Sequence, residues 1–127
     1  MDITTAPSEY LEAELVAHAA WEATGMARML DVLAEFDRRR VWEQWGCASP
    51  QQWLGWKCAL GYVAASERLR VARALGQLPH IRDGLSRGKL SFSKVRELTR
   101  VATPDTDECL AARVVRVRAA VRSRSVE

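Results

Sequence analysis

The sequence predicts an all-α protein: a long N-terminal helix followed by a compact array of shorter helices that includes a helix-turn-helix-like pair. Three observations carry this. Apolar residues recur at three- and four-residue steps along most of the chain, the spacing of one helical face. The β-branched alternation of strands is absent. Gly, Pro and Ser-Pro signals fall between the periodic stretches. At 127 residues the natural expectation is one domain, residues 1–127.

The first helix is expected from about Ser8 to Arg39. Leu11, Leu15, Ala19, Met26, Met29, Leu30, Leu33 and Phe36 form its apolar stripe. Gly25 inside it costs on the order of 1 kcal/mol relative to Ala. Acids near its start and Arg38, Arg39 and Arg40 at its end suit the helix dipole. A helix of this length needs a partner, either the rest of the chain or a second copy. A connection through Trp42, Trp45 and Gly46 leads to "SPQQ". There Ser49 caps a second helix, Pro50 takes its first position, and Gln52 completes a Ser-x-x-Gln box. That helix runs to about Cys58, and a break follows at Ala59, Leu60 and Gly61. A third helix, about Tyr62 to Gln77, buries Ala65, Leu69, Ala72 and Leu75. Pro79 opens a short fourth helix that ends near Gly88. Ser91 or Ser93 starts a fifth, carrying Val95, Leu98 and Val101. Thr103-Pro104 repeats the cap-then-proline signal, with Asp105 and Asp107 in the first turn of a last helix that reaches about Val121. The tail 122–127, "RSRSVE", reads as frayed.

Composition excludes several chemistries. No stretch approaches the roughly 20 apolar residues of a membrane span. The start, "MDITTAPSEYLEAEL", lacks the basic residues and apolar run of a secretory signal, so the protein is expected in the cytoplasm with no membrane partner. Cys47, Cys58 and Cys109 form no CxxC pair, and His18 and His80 stand alone. A zinc site needs about four clustered ligands, so no metal is expected. No glycine-rich phosphate loop is present, no nucleophile lies near a histidine in sequence, and neither a cofactor nor a catalytic residue is expected.

The charge is uneven. Residues 1–37 carry eight acids and one base, whereas residues 38–103 carry thirteen bases and four acids. A basic middle under an acidic arm suits a polyanion, or the two segments pair with each other within the fold or a dimer. Four of the five tryptophans crowd into residues 42–58. Indoles bury the most area per residue, and Trp53 and Trp56 share a helical face, so this cluster is expected to close a small core. Base stacking needs an open platform, which the pattern does not indicate.

Short helix, brief turn and longer helix is the form of a DNA-binding helix-turn-helix. Laid on residues 51–70, that pattern finds Leu54 at an apolar anchor, Gly55 small at the crossing, Leu60 apolar after the turn and Ala65 where the helices meet. Ala59 stands where glycine is usual, and Arg68 where an apolar residue is usual. On this reading Tyr62, Val63, Ser66, Glu67 and Arg70 face outward, and Arg70 is the best candidate for reading a base. Arg68, Arg73, Arg87, Lys89 and Lys94 are candidate phosphate contacts. The alternative is a solvated basic face.

The strings "EFDRR", "WGCASPQQWL", "RLRVARALGQLP" and "GKLSFSKVRELTRVATP", in this order and spacing, carry a likeness over about residues 30–110. The chain resembles the 13E12 repeat family, the domain of unknown function 222, a set of bacterial proteins often from high-GC genomes. Only Lys57, Lys89 and Lys94 among 19 basic residues are lysines, which agrees with a GC-rich coding sequence. In this family the helical domain commonly precedes an HNH nuclease domain. The segment "RALGQLPHIRDGLSRGKLSFSKVRELTR" also looks like the stretch after the helix-turn-helix in ParB-type partition proteins, an analogy of pattern. This stretch holds nothing resembling the paired metal-binding histidines of an HNH segment, so nuclease activity is not carried over. After about Leu110 the likeness is expected to fade. The resemblance then implies a short or truncated member, or half of a split gene, with exposed apolar surface that self-association would cover.

The leading expectation is a non-catalytic helical module that binds double-stranded DNA. The alternatives are a protein-interaction or self-assembly domain, whose partner is a second copy or a protein supplying a missing C-terminal half, and a remnant without independent activity.

Overall fold

The computed structural model describes residues 2–126, with side chains as far as Val121. It has six α-helices: α1 (Ser8–Arg38), α2 (Pro50–Cys58), α3 (Tyr62–Leu75), α4 (Pro79–Ser86), α5 (Phe92–Leu98) and α6 (Asp107–Val126), with single 3₁₀ turns at Ile3–Thr5 and Val41–Trp45. No strand is present among the described residues. No helix is long and apolar enough to cross a membrane.

The local signals mostly act as the sequence implies. Ser49 Oγ accepts the Gln52 amide at 3.1 Å and caps α2 behind Pro50. Gln52 reaches back one residue further than a standard box, its Oε1 accepting from the Ala48 amide at 2.6 Å. Ser91, not Ser93, caps α5 by accepting the Lys94 amide. Because α5 ends at Leu98, Val101 lies beyond it and is exposed.

The start of α6 differs from expectation. Thr103-Pro104 opens a turn in which the Thr106 and Asp107 amides bond the Thr103 carbonyl, and the helix begins only at Asp107. Asp107 is buried and serves another helix. Its carboxylate accepts the His80 amide at 2.8 Å and the Ile81 amide at 2.9 Å, and His80 Nδ1 lies 3.1 Å away. Leu78, the N-cap of α4, has no side-chain oxygen to offer. The carboxylate therefore satisfies the orphan amides of α4 from across the fold. At its other end α6 continues to Val126, past the Val121 expected. The side chains of 122–126, and Glu127, lie outside the described residues.

The core gathers Ala23, Ala27, Leu30 and Leu33 of α1, Leu54 of α2, Ala65, Leu69, Val71, Ala72 and Leu75 of α3, Ile81 and Leu85 of α4, and Val95 of α5. Each Leu, Ile or Val fully withdrawn from water contributes roughly 1.5–3 kcal/mol. Only the second half of the α1 stripe joins it. Leu30 is 1% exposed while Leu15 is 72% exposed.

Ion pairs then tie acidic α1 to the basic middle of the chain. Asp31 pairs with Arg82 of α4, and Asp37 takes both the Nε and an Nη of Arg73 of α3 at 2.9 and 3.1 Å. This is internal pairing between the two charged segments, for the second half of α1. The docked half ends at the α4–α5 turn. There Thr24 Oγ1 donates to the Ser86 carbonyl at 2.8 Å. Gly88 sits at φ +73, and a Cβ on it would lie 3.0 Å from Ala20 Cβ, so this position needs glycine for both its conformation and its space.

Candidate nucleic-acid interface

A short turn over residues 59–61 joins α2 to α3. Leu54, Ala65 and Leu69 are buried at its junction, and Leu60 packs against them partly buried. Ala59 closes α2 at φ 55, ψ 30. That is the left-handed conformation a glycine would take, adopted despite the Cβ at a cost of roughly 1–2 kcal/mol. A Cβ on Gly55 would stand 3.4 Å from the Leu60 carbonyl, an ordinary contact, so smallness there is tolerated more than required.

The outward face of α3 differs from the expected one. Tyr62 and Val63 at its start are exposed as expected. Ser66 and Arg68 are half-buried, and Ser66 Oγ and Arg68 Nε are shielded from solvent with no partner among the described residues. Arg70 is bound within the fold. Its guanidinium contacts Glu67, the Thr99 hydroxyl at 3.2 Å and the Arg96 carbonyl at 3.0 Å, joining α3 to α5. Glu67 also takes Arg100 at 2.9 Å, and the Arg70 hydrogen bond holds its carboxyl below the ordinary value. Arg73 is bound to Asp37, and Arg87 to Asp83 at 3.0 Å. Of the nominated arginines, Arg70 and Arg73 therefore act as cross-links of the domain.

Lys89 and Lys94 have a different setting. Both line a groove of about 470 Å³ between α1, the α4–α5 turn and α6, and Arg113 and Arg118 of α6 line it with them. Ala19, Ala23, Leu90, Val114 and Val117 give it an apolar floor. Arg118 is anchored, its Nη1 donating to the Lys89 carbonyl at 3.0 Å. Lys94 approaches Glu97 no closer than 3.7 Å, and no carboxylate among the described residues pairs with Lys89, Arg113 or Arg118. Arg113 and Arg118 were not singled out from the sequence. They lie more than twenty residues from Lys89, and only the packing of α6 against α4 brings them beside it.

The tryptophans divide. Trp42 is buried and Trp53 meets Phe36 at a 49° tilt with centroids 4.6 Å apart, as a core role requires. Trp45 and Trp56 are each 58% exposed and meet edge to face at 5.8 Å, with Lys57 Nζ 4.1 Å from the Trp56 ring and 5.0 Å from the Trp45 ring. The expected all-core cluster is corrected here: two indoles form an open aromatic and cationic surface. The 3₁₀ turn that leads into α2 is bounded by a left-handed Arg40, φ 52, and a left-handed Gly46, φ 74.

No group of three or more His, Cys, Asp or Glu side chains is placed to hold a metal among the described residues. Comparison with curated proteins and with solved structures finds no match. A family model does match, over residues 11–125. The match thus begins near the start of α1 and runs almost to the end of α6, so the likeness does not fade after Leu110 and is broader than residues 30–110. The chain belongs to the family described as "Domain of unknown function (DUF222)".

Proposed function

We propose that the chain is a non-catalytic cytoplasmic module that binds duplex DNA, and that the cations around the α1–α6 groove supply its phosphate contacts. The observation that carries this reading is the setting of Lys89, Lys94, Arg113 and Arg118: all line one groove, and three of them have no carboxylate partner among the described residues. Cations bound to internal carboxylates gain little by meeting phosphate, because the existing pair must first be broken. Unpaired ones release DNA counterions on contact and supply affinity directly. Tyr62 and Val63, exposed at the start of α3, remain the groups that a reading helix would present. The likeness to domains that stand ahead of an HNH segment supports the same direction.

The test is fluorescence anisotropy of a labelled random-sequence duplex, titrated at low and moderate salt. Wild type should bind, with affinity falling steeply as salt rises. Lys89→Glu with Lys94→Glu should remove most binding while leaving helicity intact, and single Lys→Ala changes should each reduce the salt slope by about 1. Unchanged binding by the double reversal would overturn this surface. A second reading, a protein-interaction domain, is favoured by the exposed Trp45–Trp56 pair. Absence of duplex binding by the folded wild type at low salt would transfer the weight to it.

A further inference from the structure

We propose that two copies of the chain associate by exchanging arms, the first half of α1 in one copy lying along α6 of the other. The inference does not rest on DNA binding, although it draws on Arg113 and Val117 of the same groove. The first half of α1 carries Glu9, Glu12, Glu14 and Glu22 and no Lys or Arg between residues 8 and 22. It leaves Leu15, Val16 and Trp21 exposed. From residue 109 to 121 α6 has the opposite character, with Arg113 and Arg116, no acid, and an exposed Val117 beside the apolar groove floor.

Among the described residues, the two arms make no ion pair with each other within one copy. Glu14 meets His18 at 3.3 Å, and no cation among the described residues pairs with Glu9, Glu12 or Glu22, nor any carboxylate with Arg113 or Arg116. Each copy therefore presents an acidic apolar helix and a basic apolar helix, each fitted to the other in charge. A second copy satisfies both at once. The contact is made twice, related by a two-fold axis, and the assembly closes at a dimer. Like-on-like pairing of the acidic arms would instead oppose equal charges.

Sedimentation velocity of the full chain, from low micromolar to several hundred micromolar, tests this. At low salt a reversible dimer is expected, with a dissociation constant at least tenfold weaker at high salt because the contact is between exposed charges. Glu9→Arg with Glu12→Arg should be monomeric alone, as should Arg113→Glu with Arg116→Glu. None of these four side chains makes an ion pair or side-chain hydrogen bond among the described residues. Mixed in equal amounts, the two variants should regain the dimer, since both contacts in the heterodimer then join opposite charges. A wild type that stays monomeric throughout, a dimer indifferent to salt, or variants that associate alone as the wild type does would each overturn the proposal. If either variant loses its helical signal, the wild-type concentration and salt series decides alone.

Discussion

The two halves of α1 are one helix with one periodicity, yet they live in different environments. From Ala23 onward the stripe is buried against α3 and α4, and its acids Asp31 and Asp37 hold arginines from those helices. Before Ala20 the same stripe leaves Leu15 exposed, and among the described residues its acids pair only with His18. The difference shows that an apolar stripe states a helix's need for a partner and nothing about whether the chain supplies one. Here the α4–α5 turn lies at the boundary, where a Cβ on Gly88 would stand 3.0 Å from Ala20 Cβ.

The largest expected effect comes from truncating the same residue type on either side of that boundary. Leu30→Ala removes a side chain that is 1% exposed and should cost about 2–5 kcal/mol in urea unfolding. Leu15→Ala, measured at a dilute concentration, should change stability by less than about 0.5 kcal/mol. Hydrogen exchange sharpens the contrast. Amides of residues 27–37 should open only with global unfolding, and those of residues 12–18 through cheap local fraying. Equal protection in both halves of a dilute sample would break the comparison.

A smaller effect is expected at the boundary itself. Gly88→Ala places a Cβ in the left-handed region and 3.0 Å from Ala20 Cβ. The backbone conformation alone costs about 1–3 kcal/mol. The crowding falls on α1, so the loss of exchange protection should spread to Thr24 and its bond to the Ser86 carbonyl. A stability loss without that spread would place the boundary elsewhere.

The elements were legible in the sequence because their signals are local. Ser49-Pro50, Pro79, Ser91 and the glycines mark ends that the backbone itself enforces, and helix boundaries fell within a few residues. What failed to show was anything decided between elements. Thr103-Pro104 has the look of a cap, but the residue that matters is Asp107, whose carboxylate serves α4 across the fold. Arg70 and Arg73 look like free surface cations in one dimension and prove to be cross-links, because their acceptors come from α5 and α1. The same blindness hid Arg113 and Arg118, whose neighbourhood with Lys89 is created by packing alone. Trp45 and Trp56 follow the rule in reverse. Aromatic density announced a core, but Trp42 and Trp53 reach it while Trp45 and Trp56 stay exposed, a division that packing between elements decides.

Acid should weaken the docked half first, and this is the smallest of the expected effects. Hydrogen bonds from Arg38 and Arg39 lower the Glu35 carboxyl from its ordinary 4.5 to about 2, and the Arg82 hydrogen bond lowers Asp31 below its ordinary value. Both shifts are depressions, so the stability they contribute is present above the ordinary carboxylate range and lost as pH falls toward the folded values. For Glu35 the window lies between about 4.5 and about 2. These pairs are largely exposed, and salt should shrink their contribution. The check is urea unfolding at a series of pH values across that window. Glu35→Gln should flatten the fall in stability, and Asp31→Asn should do so together with a loss of the α1–α4 tie. Glu12→Gln, in a half with no arginine partner among the described residues, should leave the curve where it was. A curve that flattens equally with Glu12→Gln would mean that the acids of both halves find cations in the folded state, and the contrast along α1 would then be one of burial and not of charge.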